Sequence, residues 1–399
     1  MLRVRSSSRS APETGRPARR LETIQTTAKV GREVAYFKRC AGALASLACF
    51  CLSQGAAGAG QKSHGELTLD VIDGHILPRV QELESAAGRL AADLEAFCAT
   101  PGEAKSKSRA GASFKETVRA WGAVDFLRFG PLTEETRLER FFFWPDPRSV
   151  VSRQLAALLA ERNPALLEPG AFAGRSAAVQ GLGALEIILD DTAQPLAAEG
   201  EDAHYKCAFA SAVGKNLAAI AGEIRAAWSG PHGWRAKMLE SGSDNPLYRD
   251  ASESAREIVK SLLVGLQLAQ NRQVVPRLES VTAAPPKPAR LPFARSHLGA
   301  DYLESALRSL EAMFEATGLI AYTPADKAWI RDWVRRAFDS LLTDAAAVRQ
   351  FDREPSGDAK SLAMLRRMRF NLNGLRQIVN RVLAPAAGLI LGFNELDGD

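Results

Sequence analysis

Apolar residues recur every three or four positions along most of this chain, and this repeat restricts its fold more than any other feature. From Leu67 to Ala99 the apolar positions follow the period of an α-helix, with Pro78 as a kink or a helix start. Similar patterns run through 114–129, 149–161, 175–190, 202–229, 248–278, 298–316, 326–351 and 361–383. Alternating patterns long enough for β-strands are absent. The sequence therefore predicts an all-α protein with helices of bundle length joined by short loops.

The length of the chain favours more than one domain. At 399 residues it exceeds what one hydrophobic core usually organises. Breaks in the helical pattern suggest an N-terminal segment at 1–59, a first helical-bundle domain at 60–244 and a second at 245–399. A Pro-rich linker at 282–292 lies within the second domain.

A weak internal echo accompanies this division. The spacing aromatic, apolar, aromatic, proline occurs from Trp121 to Pro131 and again from Phe314 to Pro324. Two helix-to-turn units built alike indicate a duplicated bundle. The alternative is a chance similarity between two amphipathic helices that each end at a proline.

The N-terminal segment has the pattern of a secretory signal. Ten basic residues precede an uncharged run at 41–52, which is followed by small residues up to Ala59. The apolar run is too short to span a bilayer. We therefore expect export, with cleavage near Ala59. A lipoprotein form would use Cys49, but Ser46 stands where a lipobox prefers leucine.

The charge of the exported chain argues against nucleic acid as a partner. The whole sequence has 51 basic and 46 acidic residues and a pI near 9.0, whereas residues 60–399 have 41 basic and 43 acidic residues. No basic stripe interleaved with aromatic residues remains in 60–399. We also expect no transmembrane segment in this part of the chain.

Two cysteines remain after the signal segment, Cys98 and Cys207. In an oxidising compartment they suggest one disulfide, which would stabilise the fold by roughly 4 kcal/mol in the chain-entropy model. The alternative is a pair of separate buried thiols, because free cysteine is often buried.

One carboxylate lies where an apolar side chain is expected. In the stretch 177–190, Glu186 shares a helical stripe with Val179, Leu182 and Leu189. A buried carboxylate requires a partner. Glu186 is therefore either paired with a buried arginine that fixes the helix register, or a ligand for a metal or a cationic group. Arg128 is the expected partner in both cases, because a guanidinium suits a bidentate carboxylate.

Five stretches of the chain stand out: His75-Ile76-Leu77-Pro78-Arg79, Arg128-Phe129-Gly130-Pro131, Phe143-Trp144-Pro145-Asp146, Gln180-Gly181-Leu182-Gly183-Ala184-Leu185-Glu186 and the closing 392–399. In this order they resemble the imelysin family, bacterial envelope proteins grouped as metallopeptidases. The resemblance runs through most of 60–399. It implies an all-helical fold of two bundle-like domains with a site between them. It also implies a periplasmic or outer-envelope location and an association with iron acquisition.

The signature of that family, G-x-H-x-x-E, falls on Gly181 to Glu186, where Gly183 occupies the histidine position. A histidine and a glutamate three residues apart on a helix can face one metal, whereas Glu186 alone supplies one donor group. The sequence also has no His-Glu-x-x-His pattern. Peptidase chemistry is therefore disfavoured.

Three further residues complete the candidate site. His75 lies in a family-like stretch and is either a hydrogen-bonded helix residue or a replacement for the missing histidine. Asp146 is assigned to the ligand site, although it also fits the cap of a helix that begins near Ser149. Asn394 belongs to the family-like C-terminal end.

The leading hypothesis is a non-enzymatic periplasmic binding protein of an iron-related system. Its cofactor is unidentified, with iron or another divalent metal as the candidate, and its partners would be an iron- or haem-related ligand and envelope iron-uptake proteins. The predicted cleft lies between the two bundles and is lined by His75, Arg128, Asp146, Glu186 and Asn394.

Two alternatives stay open. In one, His75 and Glu186 bind a metal and rebuild a metal-dependent peptidase site, which needs about three protein ligands and an open position. In the other, the chain is an envelope scaffold that binds another protein.

Overall fold

The computed structural model describes residues 60–191, 196, 200–285 and 288–391. Within these ranges every regular element is a helix, which confirms the predicted all-α fold. No helix in these ranges combines the length and the apolar composition needed to cross a bilayer. The signal predicted at 1–59 lies outside the described residues, as does Asn394.

The α-helices of the described ranges vary from short turns to long bundle helices. In chain order they are α1 His64–Val71, α2 Leu77–Ala99, α3 Ala104–Gly122, α4 Arg137–Phe141, α5 Val150–Glu161, α6 Pro169–Ala173, α7 Ala177–Gln180, α8 Leu182–Leu189, α9 Glu201–Ser229, α10 Trp234–Leu239, α11 Ala251–Ala269, α12 Val275–Thr282, α13 Gly299–Thr317, α14 Trp329–Arg353, α15 Ala359–Ile378 and α16 Ala384–Ala386. Short 3₁₀ turns lie at Gly130–Leu132, Glu134–Thr136, Pro164–Leu167, Leu319–Tyr322 and Ala325–Lys327.

In the part of the chain that the structure describes, three π-helical turns each precede a proline. The π turns are Ile72–Ile76, Gln270–Val274 and Val379–Leu383, and the prolines are Pro78, Pro276 and Pro385. A proline has no N–H, and its ring displaces the carbonyl one turn before it, so a widened turn lets the helix continue. Pro78 is therefore a kink within one helical segment from α1 to the end of α2.

Two of these turns have a similar sequence pattern: a polar residue, two apolar residues, proline and arginine. The residues at 75–79, His-Ile-Leu-Pro-Arg, and those at 273–277, Gln-Val-Val-Pro-Arg, both lead from a π turn into a helix. The first polar residue of each, His75 or Gln273, is buried. This repeat was not recognised in the sequence, and it supports the predicted internal duplication, which stays a prediction.

The long helices pack as neighbours across the predicted domain boundary. In the N-terminal half α2 packs along α3 and α9, and in the C-terminal half α13 packs along α14, which packs along α15. The halves meet where α1 lies on α11 and where α3 lies on α13. Buried apolar side chains from both halves form one hydrophobic cluster. The division into domains at 244 and 245 stays a prediction.

A close approach at Gly265 brings α11 against its neighbours. A Cβ atom built on Gly265 would overlap a methyl carbon of Leu310 in α13 and lie 3.0 Å from the side chain of Phe126, closer than ordinary van der Waals contact. The contact fixes α11 against α13 and against the segment after α3, which carries polar residues described below.

Cys98 and Cys207 form a disulfide, with their Cα atoms 5.5 Å apart. The bond joins the C-terminal end of α2 to the first turns of α9. These two helices also pack along each other, so the crosslink reinforces the longest interface of the N-terminal half.

Some helix boundaries differ from the predicted ones. The helix expected at 114–129 begins at Ala104 and ends at Gly122. Its first half buries small side chains, Ser106, Ala110 and Ser113, so the hydrophobic period does not reveal it. The helix expected at 175–190 is divided at Gly181 into α7 and α8.

Candidate functional site

Gly181 separates α7 from α8 and determines where α8 begins. A Cβ atom at this position would overlap the carbonyl groups of Arg140 and Phe141 at the end of α4, so only glycine allows this approach. The preceding residue, Gln180, is buried, and its Oε1 accepts from Arg140 Nε at 3.0 Å. Asn216 of α9 donates to the backbone carbonyl of Gln180 at 3.1 Å. The start of α8 is thus fixed by α4 and α9.

Glu186 of α8 is buried, with 7% of its surface exposed. Its Oε1 accepts two hydrogen bonds from Ser296, from the backbone N–H at 2.9 Å and from Oγ at 2.7 Å. Burial raises the pKa of Glu186 above its ordinary value, while the bonds from Ser296 and the positive charge of Arg295 act in the opposite direction. The partner of this carboxylate is therefore a serine 110 residues away.

Ser296 belongs to a short loop, residues 293–298, which we call the Ser296 loop. The loop is closed by a hydrogen bond from Leu298 N–H to the carbonyl of Phe293 at 3.0 Å. Phe293 and His297 both have φ of 55°, in the left-handed region that side chains other than glycine rarely adopt. Such strain persists only where the surroundings enforce it, and it is common at binding sites.

A cavity of about 420 Å³ lies beside this loop. Phe293 and His297 of the Ser296 loop line one part of it, and Phe351 and Asp352 of α14 line another. Asp352 is also held by Arg277, which is fully buried and donates to both carboxylate oxygens at 2.7 and 2.6 Å. The cavity has the volume of a small-molecule site, with largely apolar walls and few polar groups.

The histidine position of the signature, Gly183, lies on the partly exposed side of α8. A Cβ atom there would have one neighbour, a ring carbon of Phe142 at 3.9 Å. There is therefore room for a Cβ atom at position 183, and packing does not require glycine there. Phe142 stacks on Phe293, with ring centroids 4.3 Å apart, so Gly183 lies next to the aromatic base of the Ser296 loop.

A polar cluster, which we call the Asp125 cluster, begins at the next aromatic ring. Tyr302 lies 5.5 Å from Phe293 between ring centroids, and its hydroxyl donates to Asp125 Oδ2. Arg128 Nη2 and Arg272 Nη1 lie 3.9 and 3.8 Å from the same oxygen. Two guanidinium groups and one phenol thus surround one buried carboxylate.

The environment of the Asp125 cluster changes how its members ionise. Burial and the neighbouring carboxylate raise the pKa of Tyr302 well above its ordinary value, so Tyr302 stays a neutral donor. Burial lowers the pKa of Arg128, against the opposing effect of Asp125. The expected pairing of Arg128 with Glu186 is replaced by this contact with Asp125.

His75 lies in the first π turn and is buried. Its Nε2 is 3.2 Å from Ser309 Oγ, and that hydroxyl donates to the carbonyl of Ala123 at 2.6 Å. The single hydroxyl hydrogen of Ser309 is used in the bond to Ala123. The hydrogen between Ser309 Oγ and His75 Nε2 must therefore be on Nε2. Burial, with a contribution from Arg79, lowers the pKa of His75 to about 4, so the ring is neutral at physiological pH. Its Nε2 is therefore a donor to Ser309.

Asp146 caps α5. Its carboxylate oxygens accept from the backbone N–H groups of Val150 at 2.7 Å and Val151 at 3.0 Å. This is the capping arrangement that the sequence left open for Asp146.

The candidate residues thus have separate partners: Ser296 for Glu186, Asp125 for Arg128, Ser309 for His75 and the α5 backbone for Asp146. In the part of the chain that the structure describes, no three His, Cys, Asp or Glu side chains are grouped so as to hold a metal ion. The ligand role of these residues stays a prediction.

Sequence reasoning missed the residues that contact the candidates. Ser296 and His297 follow a Pro-rich stretch and carry no periodic signal. Asp125 offered a weak signal, because it lies three residues before Arg128 in an apolar stretch. Tyr302 resembles any core aromatic of an amphipathic helix.

Comparison with known proteins gives one family match. The model of the family described as Imelysin matches residues 76–369. No curated protein gives a significant match.

Two solved structures resemble the fold. One is an imelysin-like protein from Psychrobacter arcticum 273-4, with a TM-score of 0.63, 18% identity, and coverage of 83% of this chain and 97% of that one. Another, from Parabacteroides distasonis ATCC 8503, is described as an iron-regulated protein A precursor. Its TM-score is 0.61 at 11% identity, with coverage of 79% and 96%. At these identities the likeness shows the fold alone.

Proposed function

This chain belongs to the imelysin family, and from that premise we propose that it is an exported, non-catalytic binding protein of an iron-related system. The periplasm or the outer envelope is the proposed location, after cleavage near Ala59. Envelope iron-uptake proteins are the proposed partners. A structural relative described as an iron-regulated protein A precursor supports the iron-related part of the proposal.

The proposal that the protein is not an enzyme rests on the family signature at Gly181 to Glu186. Gly183 stands where a metal-binding histidine would lie, and Oε1 of Glu186 is occupied by both donors of Ser296. The candidate replacement, His75, uses Nε2 to donate to Ser309. Glu186 thus acts on the Ser296 loop and is a positioning residue in this proposal.

We place the ligand in the cavity of about 420 Å³ beside the Ser296 loop. Its walls include Leu291, Phe293 and Phe351, and its polar groups include His297 and Asp352. This mixture favours an organic ligand with an apolar surface, such as haem or an organic iron chelate, over a bare ion. Glu186 would set the position of the cavity wall through Ser296.

Metal analysis and titration with iron and with haem test the proposal. The exported protein should bind at least one of them, and Glu186→Ala should weaken binding because the Ser296 loop loses its anchor. Glu240→Ala, an exposed carboxylate at the end of α10, is the matched control and should bind normally. Absence of binding to both compounds, or binding that Glu186→Ala leaves unchanged, would contradict the proposal.

A further inference from the structure

A second cavity, which we call the arginine groove, lies among α2, α3 and α13. Its volume is about 730 Å³. Four arginines line it: Arg79 and Arg89 from α2, Arg119 from α3 and Arg308 from α13. None of these residues contacts the Ser296 loop in the hydrogen bonds and ion pairs described for the chain, so the groove is separate from the ligand cavity proposed above.

The groove has a positive formal charge. Four arginines face two glutamates, Glu82 and Glu116, an excess of two positive charges. Two carboxylates outside the lining also contact these arginines, but each is shared with other cations. Glu304 lies 3.0 Å from Arg308 and 3.3 Å from Arg349. Asp301 lies 3.9 Å from Arg119, but it also pairs with Lys115 at 3.1 Å and Arg349 at 3.0 Å, so one carboxylate serves three cations.

The floor of the groove is made of small side chains, including Ala86, Ala120 and Ala312, which leave the space open. Three serines also line it, Ser85, Ser305 and Ser309, and the hydroxyl hydrogens of the last two are already used. Ser305 Oγ donates to the carbonyl of Arg119 at 2.7 Å, and Ser309 Oγ donates to that of Ala123 at 2.6 Å. The donors that remain for a ligand are guanidinium N–H groups, together with the hydroxyl of Ser85 and the amide of Gln81.

Arg79 already has one partner in the groove, because its Nη1 pairs with Glu82 at 2.7 Å.

We propose that the arginine groove binds a small polyanion that carries at least two carboxylate or phosphate groups. Guanidinium groups bind both anions through paired N–H donors, and the arginines come from three different helices. The volume exceeds what a single anionic group occupies, so a ligand with several such groups matches the groove better. The proposal does not depend on the iron-related function.

Isothermal titration calorimetry of the full chain with citrate and with pyrophosphate, without added metal, tests this proposal. At least one anion should bind, and higher salt should weaken binding. The double variant Arg89→Gln/Arg308→Gln should lose about tenfold or more in affinity, because two charge-assisted contacts are removed. Citrate alone would identify a carboxylate site, and pyrophosphate alone a phosphate site.

Matched variants separate charge from folding. Arg331→Gln/Arg336→Gln removes the same charge from exposed positions of α14 and should leave the affinity unchanged. Arg89→Lys/Arg308→Lys should retain more affinity than the glutamine variant. Glu186→Ala should also bind the anion normally, so a failure of the iron-related function is recognised independently. Failure of both anions to bind, or equal affinity in the glutamine and control variants, would overturn the proposal.

Discussion

At the scale of single residues, Glu186 shows how burial decides the role of a charge. Its Oε1 receives both donors of Ser296, so the side chain satisfies a loop that lies far away in the sequence. Burial still raises the pKa of this carboxyl above its ordinary value of 4.5. The charge therefore destabilises the fold relative to a neutral acceptor of the same shape.

Glu186→Gln and Glu186→Ala should consequently have opposite effects on stability. Gln keeps the acceptor for Ser296 and removes the charge, so the free energy of unfolding should equal or exceed that of the wild type at pH 7. Its advantage should shrink as the pH falls through the raised pKa of Glu186 towards 4.5, because the wild-type carboxyl becomes protonated. Ala should lose about 1–3 kcal/mol, because Ser296 loses its acceptor. Urea unfolding at several pH values measures both, and a Gln variant as unstable as Ala would refute this account.

Gly183 permits a gain-of-function prediction. The space beside it is open apart from Phe142, so Gly183→His should fold and place an imidazole three residues before Glu186. Both hydrogen bonds from Ser296 use Oε1, and Oε2 can contribute to a metal site. In calorimetry, Gly183→His should bind zinc at least about tenfold more tightly than the wild type. Gly183→Ala is the control and should change stability slightly without affecting zinc. Equal zinc affinity in the His and Ala variants would contradict the predicted geometry.

At the scale of elements, helical periodicity predicted most of the long helices because it is a local property of the sequence. It did not show the first half of α3, where Ser106 and Ala110 replace large apolar residues on the buried face. Nor could it show which loop meets Glu186, since Ser296 lies 110 residues away. Contacts between distant elements depend on packing, and a single sequence carries no direct record of them.

The approach of α11 to α13 gives a test at this scale. Gly265→Ala should lower the free energy of unfolding by about 1–3 kcal/mol, because the added methyl overlaps Leu310 and crowds Phe126. Gly88→Ala in α2 is the matched control, since a Cβ there meets nothing within 4 Å. It should stabilise the protein by about 0.5–1 kcal/mol through helix propensity. Thermal unfolding compares them, and similar shifts for both variants would argue against the close packing at Gly265.

At the scale of the whole molecule, distant parts of the chain are joined by the disulfide and by the packing of N-terminal helices on C-terminal helices. The bond between Cys98 and Cys207 spans a sequence separation of 109 residues. The sequence predicted it from the number of cysteines and the expected compartment, with separate thiols as the alternative. The domain boundary near residue 244 stays a prediction, because helices from either side of it pack on each other.

Removal of the disulfide should lower the stability of the oxidised protein. Cys98→Ala/Cys207→Ala should reduce the free energy of unfolding by about 4 kcal/mol, since the unfolded chain is no longer closed into a long loop. Reduction of the wild type should give a similar loss. Urea unfolding with and without reductant measures this effect, and equal stability under both conditions would contradict a structural role for the bond.

In the proposed function, Glu186 positions the wall of an iron-related ligand cavity and takes no direct part in holding metal. Titration of wild type, Glu186→Gln and Glu186→Ala with the iron compound that the wild type binds tests this claim most directly. We predict that Gln keeps the wild-type affinity within about threefold, because it still accepts from Ser296, and that Ala loses about tenfold or more. Equal loss in Gln and Ala would show that the carboxylate itself binds the ligand and would contradict the account.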